Sequence, residues 1–98
     1  MTITKNQENE KLTMKIEGRL DTTTAPELEA ELKKSLDDVK ELVFDISELA
    51  YISSAGLRVL LSAQKVMNKQ GKMTVKGTND AVMEIFEVTG FVDILNIE

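Results

Sequence analysis

An unbroken apolar run, Leu42-Val43-Phe44, stops at Asp45, and a short polar link then leads to Tyr51-Ile52 and Ser53-Ser54-Ala55-Gly56. A segment with apolar residues at helical spacing follows directly. Strand, loop and helix in this order constrain the chain more than any other feature. A strand that does not alternate is covered on both faces, as at the centre of a sheet, and the pattern predicts it over Leu42 to Ile46. Ser47 to Tyr51 reads as a loop. After the serines, Leu57, Leu60, Leu61, Gln64 and Met67 recur every three or four residues, and Val59, Ala63 and Val66 widen the stripe. Such spacing predicts a helix buried on more than one side. It ends near Lys69-Gln70-Gly71, with lysine in the last turn and glycine beyond.

The flanking segments supply what this unit packs against. Residues 2 to 5 form a short edge strand and Asn6 to Glu10 a polar turn. Leu12, Met14 and Ile16 then alternate with Thr13, Lys15 and Glu17, the period of a strand with one buried face. Together they predict an antiparallel hairpin, with Gly18 as a weak point or bulge and Leu20 continuing inward. Thr24-Ala25-Pro26-Glu27 has the form of a capping box, and Ala25, Leu28, Leu32 and Leu36 make one stripe of a helix that breaks at Asp37-Asp38. Met73 and Val75 mark another strand. Asn79 or Asp80 caps a short helix with Val82, Ile85 and Phe86 on one face, ended by Thr89-Gly90. Phe91 and Ile94 to Ile97 fit either a last helical turn or a short strand. Strands and helices alternate after the hairpin, which implies right-handed parallel crossovers. The expected fold class is α/β, with a mixed sheet, an antiparallel edge hairpin and packed helices.

At 98 residues the chain fits one domain. There are 12 basic and 17 acidic residues, a formal charge of −5, and no basic cluster. Direct nucleic-acid binding through phosphates is therefore not expected. The absence of Cys and His excludes disulfides, cysteine nucleophiles, the usual zinc sites and every Ser–His or Cys–His catalytic pair. No cofactor or metal is expected. No stretch reaches the roughly 18 apolar residues of a membrane span. The amino terminus is polar and lacks a secretory signal core, so a cytoplasmic location is expected.

The chemistry then narrows to a few side chains. Ser53 and Ser54 stand at a helix start, where a hydroxyl caps free N–H groups or, phosphorylated, places a phosphate on those groups and on the positive end of the helix dipole. The local residues leave both readings open. A serine hydrolase would need a lysine as base, since there is no His, and no G-x-S-x-G elbow is present. Asp21, in the polar link Asp21-Thr22-Thr23-Thr24, reads as a turn or cap residue. Asp45 ends the central strand, where open α/β sheets place functional groups, but it lacks the companion acids of a receiver-type phospho-aspartate. Phosphate-binding loops of the G-x-x-x-x-G-K or G-x-G-x-x-G type are absent, so a separate kinase would have to supply any phosphate.

The ordered set Gly18-Arg19-Leu20-Asp21, Thr24-Ala25-Pro26-Glu27-Leu28, Asp45 to Leu49 and Tyr51-Ile52-Ser53-Ser54-Ala55-Gly56-Leu57 resembles the STAS domain, and more narrowly the bacterial anti-sigma factor antagonists. The likeness covers essentially the whole chain, residues 1–98, including Gly71 to Val75 and Phe86 to Phe91. It implies a non-enzymatic protein that binds an anti-sigma factor serine kinase and so releases a sigma factor for transcription. It further implies phosphorylation of Ser54 (alternatively Ser53), with a phosphatase restoring binding. The partner-binding surface it implies comprises Asp21, Thr22, Ser53, Ser54, Gly56 and Leu57. Two positions depart from the commonest pattern: Ser53 stands where an acid is frequent, and Ala55 where Ser or Thr is frequent. A STAS subunit without a switch, in a transporter or a larger signalling complex, is the alternative role.

Overall fold

The apolar run from Leu42 becomes an interior strand of a five-stranded sheet. The computed structural model describes residues 1–98, in the order β1 (Thr2–Glu8), β2 (Lys11–Leu20), α1 (Ala25–Ser35), β3 (Glu41–Asp45), β4 (Leu49–Ile52), α2 (Ser54–Gln70), β5 (Lys72–Lys76), α3 (Asp80–Thr89) and a 3₁₀ turn at Phe91–Asp93. β1 and β2 form the expected antiparallel edge hairpin, and β2, β3 and β5 pair in parallel. The result is one α/β domain with a mixed sheet and three helices.

Successive strand side chains point to opposite faces, so the register sorts the residues. Leu12, Leu42 and Met73 lie in one row and Met14, Phe44 and Val75 in the next, all fully buried beneath the helices. The opposite face carries Glu8, Lys11, Glu41 and Lys72 in one row and Thr4, Lys15, Asp45 and Lys76 in another. The expectation that both faces of the central strand are covered is thus corrected. Val43 is buried on the open face only because Thr13 and Thr74 flank it from both neighbouring strands. α1 is tied to the sheet edge by Lys5, whose ammonium meets Glu31 and donates to Ser35 Oγ at 3.2 Å.

Several boundaries also differ from expectation. β1 runs to Glu8, and the turn shrinks to Asn9-Glu10, with Asn9 at φ 56°. Cross-strand pairing holds the polar residues Asn6 to Glu8 in place. The segment read as a loop over Ser47 to Tyr51 contains β4, which pairs in parallel with the last residues of β2 beyond a bulge at Gly18/Arg19. Its pattern of one buried residue at each end, Leu49 and Ile52, is too short to register as periodicity. In α2, Val66 is 41% exposed and Leu61 only half-buried, so the buried stripe is narrower than expected. Gly71 follows α2 with an extended backbone. Glycine is required there by space, because a Cβ would lie 1.9 Å from the Lys40 carbonyl oxygen. The final segment combines both expected forms: the 3₁₀ turn, then a parallel bridge from Ile97 to Val75, with Leu95 buried between them.

Candidate functional site

β2, β4 and β5 point the same way and end on the same side of the sheet. The segments that leave β2 and β4, Asp21 to Thr24 and Ser53-Ser54, therefore lie together at one edge, while Gly77 to Asn79, leaving β5, packs against Ser47 and Leu49 at the start of β4. The shared edge is where open α/β sheets place binding groups. The Ser53 N–H donates to the Leu20 carbonyl at 2.9 Å, joining the first two segments directly. Gly56 is buried at the same junction. A Cβ there would stand 2.7 Å from Leu20 Cγ, 2.9 Å from Ile52 Cγ1 and 3.0 Å from the Leu20 carbonyl oxygen. Only a bare backbone lets α2 start this close to the ends of β2 and β4.

The two serines have different environments. Ser53 is the N-cap, with extended backbone angles, and its hydroxyl accepts from the Gly56 N–H at 3.4 Å. Ser54 is the first residue of α2, is exposed, and its hydroxyl has no hydrogen-bond partner. The capping function is therefore met by Ser53, leaving Ser54 Oγ open to solvent at the positive end of a 17-residue helix. No lysine is hydrogen-bonded to either hydroxyl.

Asp21 organises its own loop. One carboxylate oxygen accepts from the Thr23 N–H at 3.0 Å, the Thr23 hydroxyl at 2.8 Å and the Thr24 N–H at 3.2 Å. The Thr23 hydroxyl holds the carboxyl below its ordinary range; desolvation opposes it, and the Thr23 and Thr24 N–H groups add to the lowering. The other oxygen lies 3.6 Å from Arg19 Nε, and the Arg19 guanidinium sits 4.4 Å over the Tyr51 ring. The expected capping box at Thr24 is not formed. Its hydroxyl accepts from the Asp21 N–H at 2.8 Å and donates to the Arg19 carbonyl at 2.9 Å, so it is turned back into the loop. Thr22 is exposed beside this loop. Leu57 is buried and shapes the surface from beneath.

A groove of about 310 Å³ flanks Ser54 on one side of α2, lined by Ser54, Leu57, Arg58, Leu61, Thr89 and Phe91. On the other side, a groove of about 380 Å³ between α1 and α2 is bounded by Thr22, Pro26, Glu29 and again Arg58. Arg58 is thus the ridge between them, one turn along the helix from Ser54. The sequence reading passed over it, although the i, i+4 spacing from Ser54 was the available signal. The stacking of Arg19 on Tyr51 had no such signal, because it depends on the pairing of β2 with β4. Asp45 is not part of this edge cluster of loops. It accepts from the Ser47 N–H at 3.0 Å and the Ser47 hydroxyl at 2.7 Å, closing the turn into β4. No helix is long and apolar enough to cross a membrane.

The family model for the STAS domain matches residues 2–98. BtrV of Bordetella bronchiseptica, provisionally named an anti-sigma factor antagonist, is 38% identical over 84 residues, covering 84% of this chain and 72% of that protein. The anti-sigma-B factor antagonist of Staphylococcus aureus is 29% identical over 86 residues, covering 86% of this chain and 80% of its own. Among solved structures, an anti-sigma factor antagonist from Mycobacterium paratuberculosis superposes with a TM-score of 0.88 at 23% identity, over 98% of this chain and 83% of that one. The Bacillus protein SpoIIAA in its phosphorylated form superposes with a TM-score of 0.77 at 13% identity, over 99% and 91%.

Proposed function

The chain belongs to the STAS domain family, and from that membership we propose that it is an anti-sigma factor antagonist switched by phosphorylation of Ser54. In this reading it binds an anti-sigma factor serine kinase in the cytoplasm and thereby frees a sigma factor for transcription. The kinase modifies Ser54, the modified protein no longer competes, and a phosphatase resets it. The protein itself performs no catalysis. The relatives named as antagonists support the general role.

The observation that carries the switch is the division of labour between the two serines. Ser53 caps α2, while the Ser54 hydroxyl is exposed and unengaged. A kinase can reach it without breaking a structural bond. The added charge, about −1.5 to −2, would be stabilised by the free N–H groups of the first turn, so the domain stays folded while its binding surface changes. Thr22, Asp21 and the rim of the Ser54 groove are the natural contact surface.

Incubation with the cognate kinase and mapping of the labelled site tests this. Labelling is expected on Ser54 and is expected to vanish in Ser54→Ala. A Ser54→Ala protein labelled to the same extent overturns the assignment, and label found on Ser53 would move the switch by one residue. Ser54→Asp is expected to weaken kinase binding in calorimetry, through like-charge and desolvation costs; unchanged affinity counts against a switch of this kind.

A further inference from the structure

We propose that Arg58 is the built-in counter-ion of the phosphorylated state, pairing with a phosphate on Ser54 across one turn of α2. The inference rests on the reading of Ser54 as the acceptor and adds a residue that this reading does not name. Residues four apart on a helix are surface neighbours, and Ser54 and Arg58 line the same groove. An arginine fork and a phosphate form short, charge-assisted hydrogen bonds in a geometry lysine does not match.

The neighbouring charges single out Arg58. The other arginine, Arg19, is held 3.6 Å from Asp21 and stacked on Tyr51. Lys33, across the α1–α2 groove, pairs with Glu29 at 3.4 Å. Arg58 is exposed and takes part in none of the ion pairs, hydrogen bonds or ring contacts of the molecule. In a chain with a net charge of −5, an uncommitted guanidinium one turn from the acceptor is free to turn to the phosphate. The pair then spans the rim of the groove over Leu57, Leu61 and Phe91. Phosphorylation on this account withdraws a cation and an apolar opening from any partner at once, in addition to adding negative charge.

The test uses phosphoserine incorporated at position 54 during translation of the full chain, so it needs no kinase. The second ionisation of the phosphate is followed by phosphorus NMR in the otherwise native protein, in Arg58→Ala and in Arg58→Lys. The helix terminus acts equally in all three, so differences report residue 58. Arg58→Ala is expected to raise the phosphate pKa by about half a unit, with Arg58→Lys recovering part of the shift and high salt narrowing the gap. Identical titrations in the native and Arg58→Ala backgrounds overturn the proposal. Mass spectrometry of the protein from its native host addresses the parent reading separately. An unmodified Ser54 there would defeat the switch, whereas the titration decides the pairing.

Discussion

Ser53 and Ser54 are neighbours of the same type whose roles diverge because α2 begins between them. The cap bond from the Gly56 N–H to Ser53 is long at 3.4 Å, so its contribution lies toward the weak end for a serine cap. Ser53→Ala is expected to cost about 0.5–1 kcal/mol, while Ser54→Ala, exposed and unbonded, stays within about 0.5 kcal/mol. Equal losses in urea denaturation would contradict this separation. Gly56 poses a contest of opposite effects. Alanine in a helix interior gains about 1 kcal/mol over glycine. Here its methyl would meet Leu20 and Ile52 side chains and the Leu20 carbonyl at 2.7–3.0 Å, and overpacking costs about 1–3 kcal/mol. Contact with a backbone oxygen leaves little room to relax, so overpacking wins. Gly56→Ala is expected to lower stability by about 1–2 kcal/mol, measured by the denaturation midpoint, and to disturb the Ser54 edge with it.

Among the elements, β4 and α3 hold each other in place through one side chain. Asn79 Oδ1 accepts from the Val82 N–H at 2.9 Å, capping α3, while its Nδ2 donates to the Leu49 carbonyl at 2.7 Å. β4 in turn ends at Ile52, immediately before the serines. Removing both bonds, as in Asn79→Ala, combines the loss of a cap, about 1 kcal/mol, with a carbonyl deprived of its donor, about 1 kcal/mol more. Asn79→Ser keeps a capping oxygen and loses only the bond to β4, without setting a carboxylate against the Leu49 carbonyl. Its stability is expected to fall between the native and alanine proteins; a loss as large as that of Asn79→Ala would show that the link to β4 dominates. The entry to α1 depends on Asp21 in a similar way, since its carboxylate and the Thr24 hydroxyl complete the loop that a capping box would otherwise have closed.

Across the whole molecule, three carboxyls are held below their ordinary values by native contacts. The Thr23 hydroxyl acts on Asp21, Lys5 on Glu31, and the Ser47 N–H on Asp45. A depressed folded pKa means that the unfolded chain takes up protons first as pH falls. Their stabilisation is therefore present above the ordinary carboxylate range, 3.8 for Asp and 4.5 for Glu, and is lost as pH drops through the lower folded values. With no His in the chain, no side chain of ordinary pKa titrates between about pH 5 and 8. The urea midpoint is expected to be flat over that interval and to fall below about pH 4. Asp45→Asn is expected to reduce the acid-side slope; a midpoint unchanged at pH 3 in the native protein would refute the account.

Local pattern sufficed for much of this architecture. Alternation from Leu12 to Ile16, the stripe from Leu57 to Met67 and the break at Gly90 depend on short-range periodicity and local sterics, which the chain carries in itself. Absence of His and Cys closed off whole chemistries before any fold was considered. Three features lay beyond it. β4 exists because β2 offers it a pairing edge past a bulge, and four residues are too few to show a period. Thr24 fails to cap because Asp21 and the Arg19 carbonyl compete for its hydroxyl. Val43 is buried on an otherwise polar face by neighbours distant in sequence. By itself, the sequence determined that two hydroxyls stand at the start of a buried helix. Only the tertiary structure decided which one is used up as a cap and which is left open beside a free arginine. That choice turns on where α2 begins, and the packing of Gly56 against Leu20 and Ile52 sets that point.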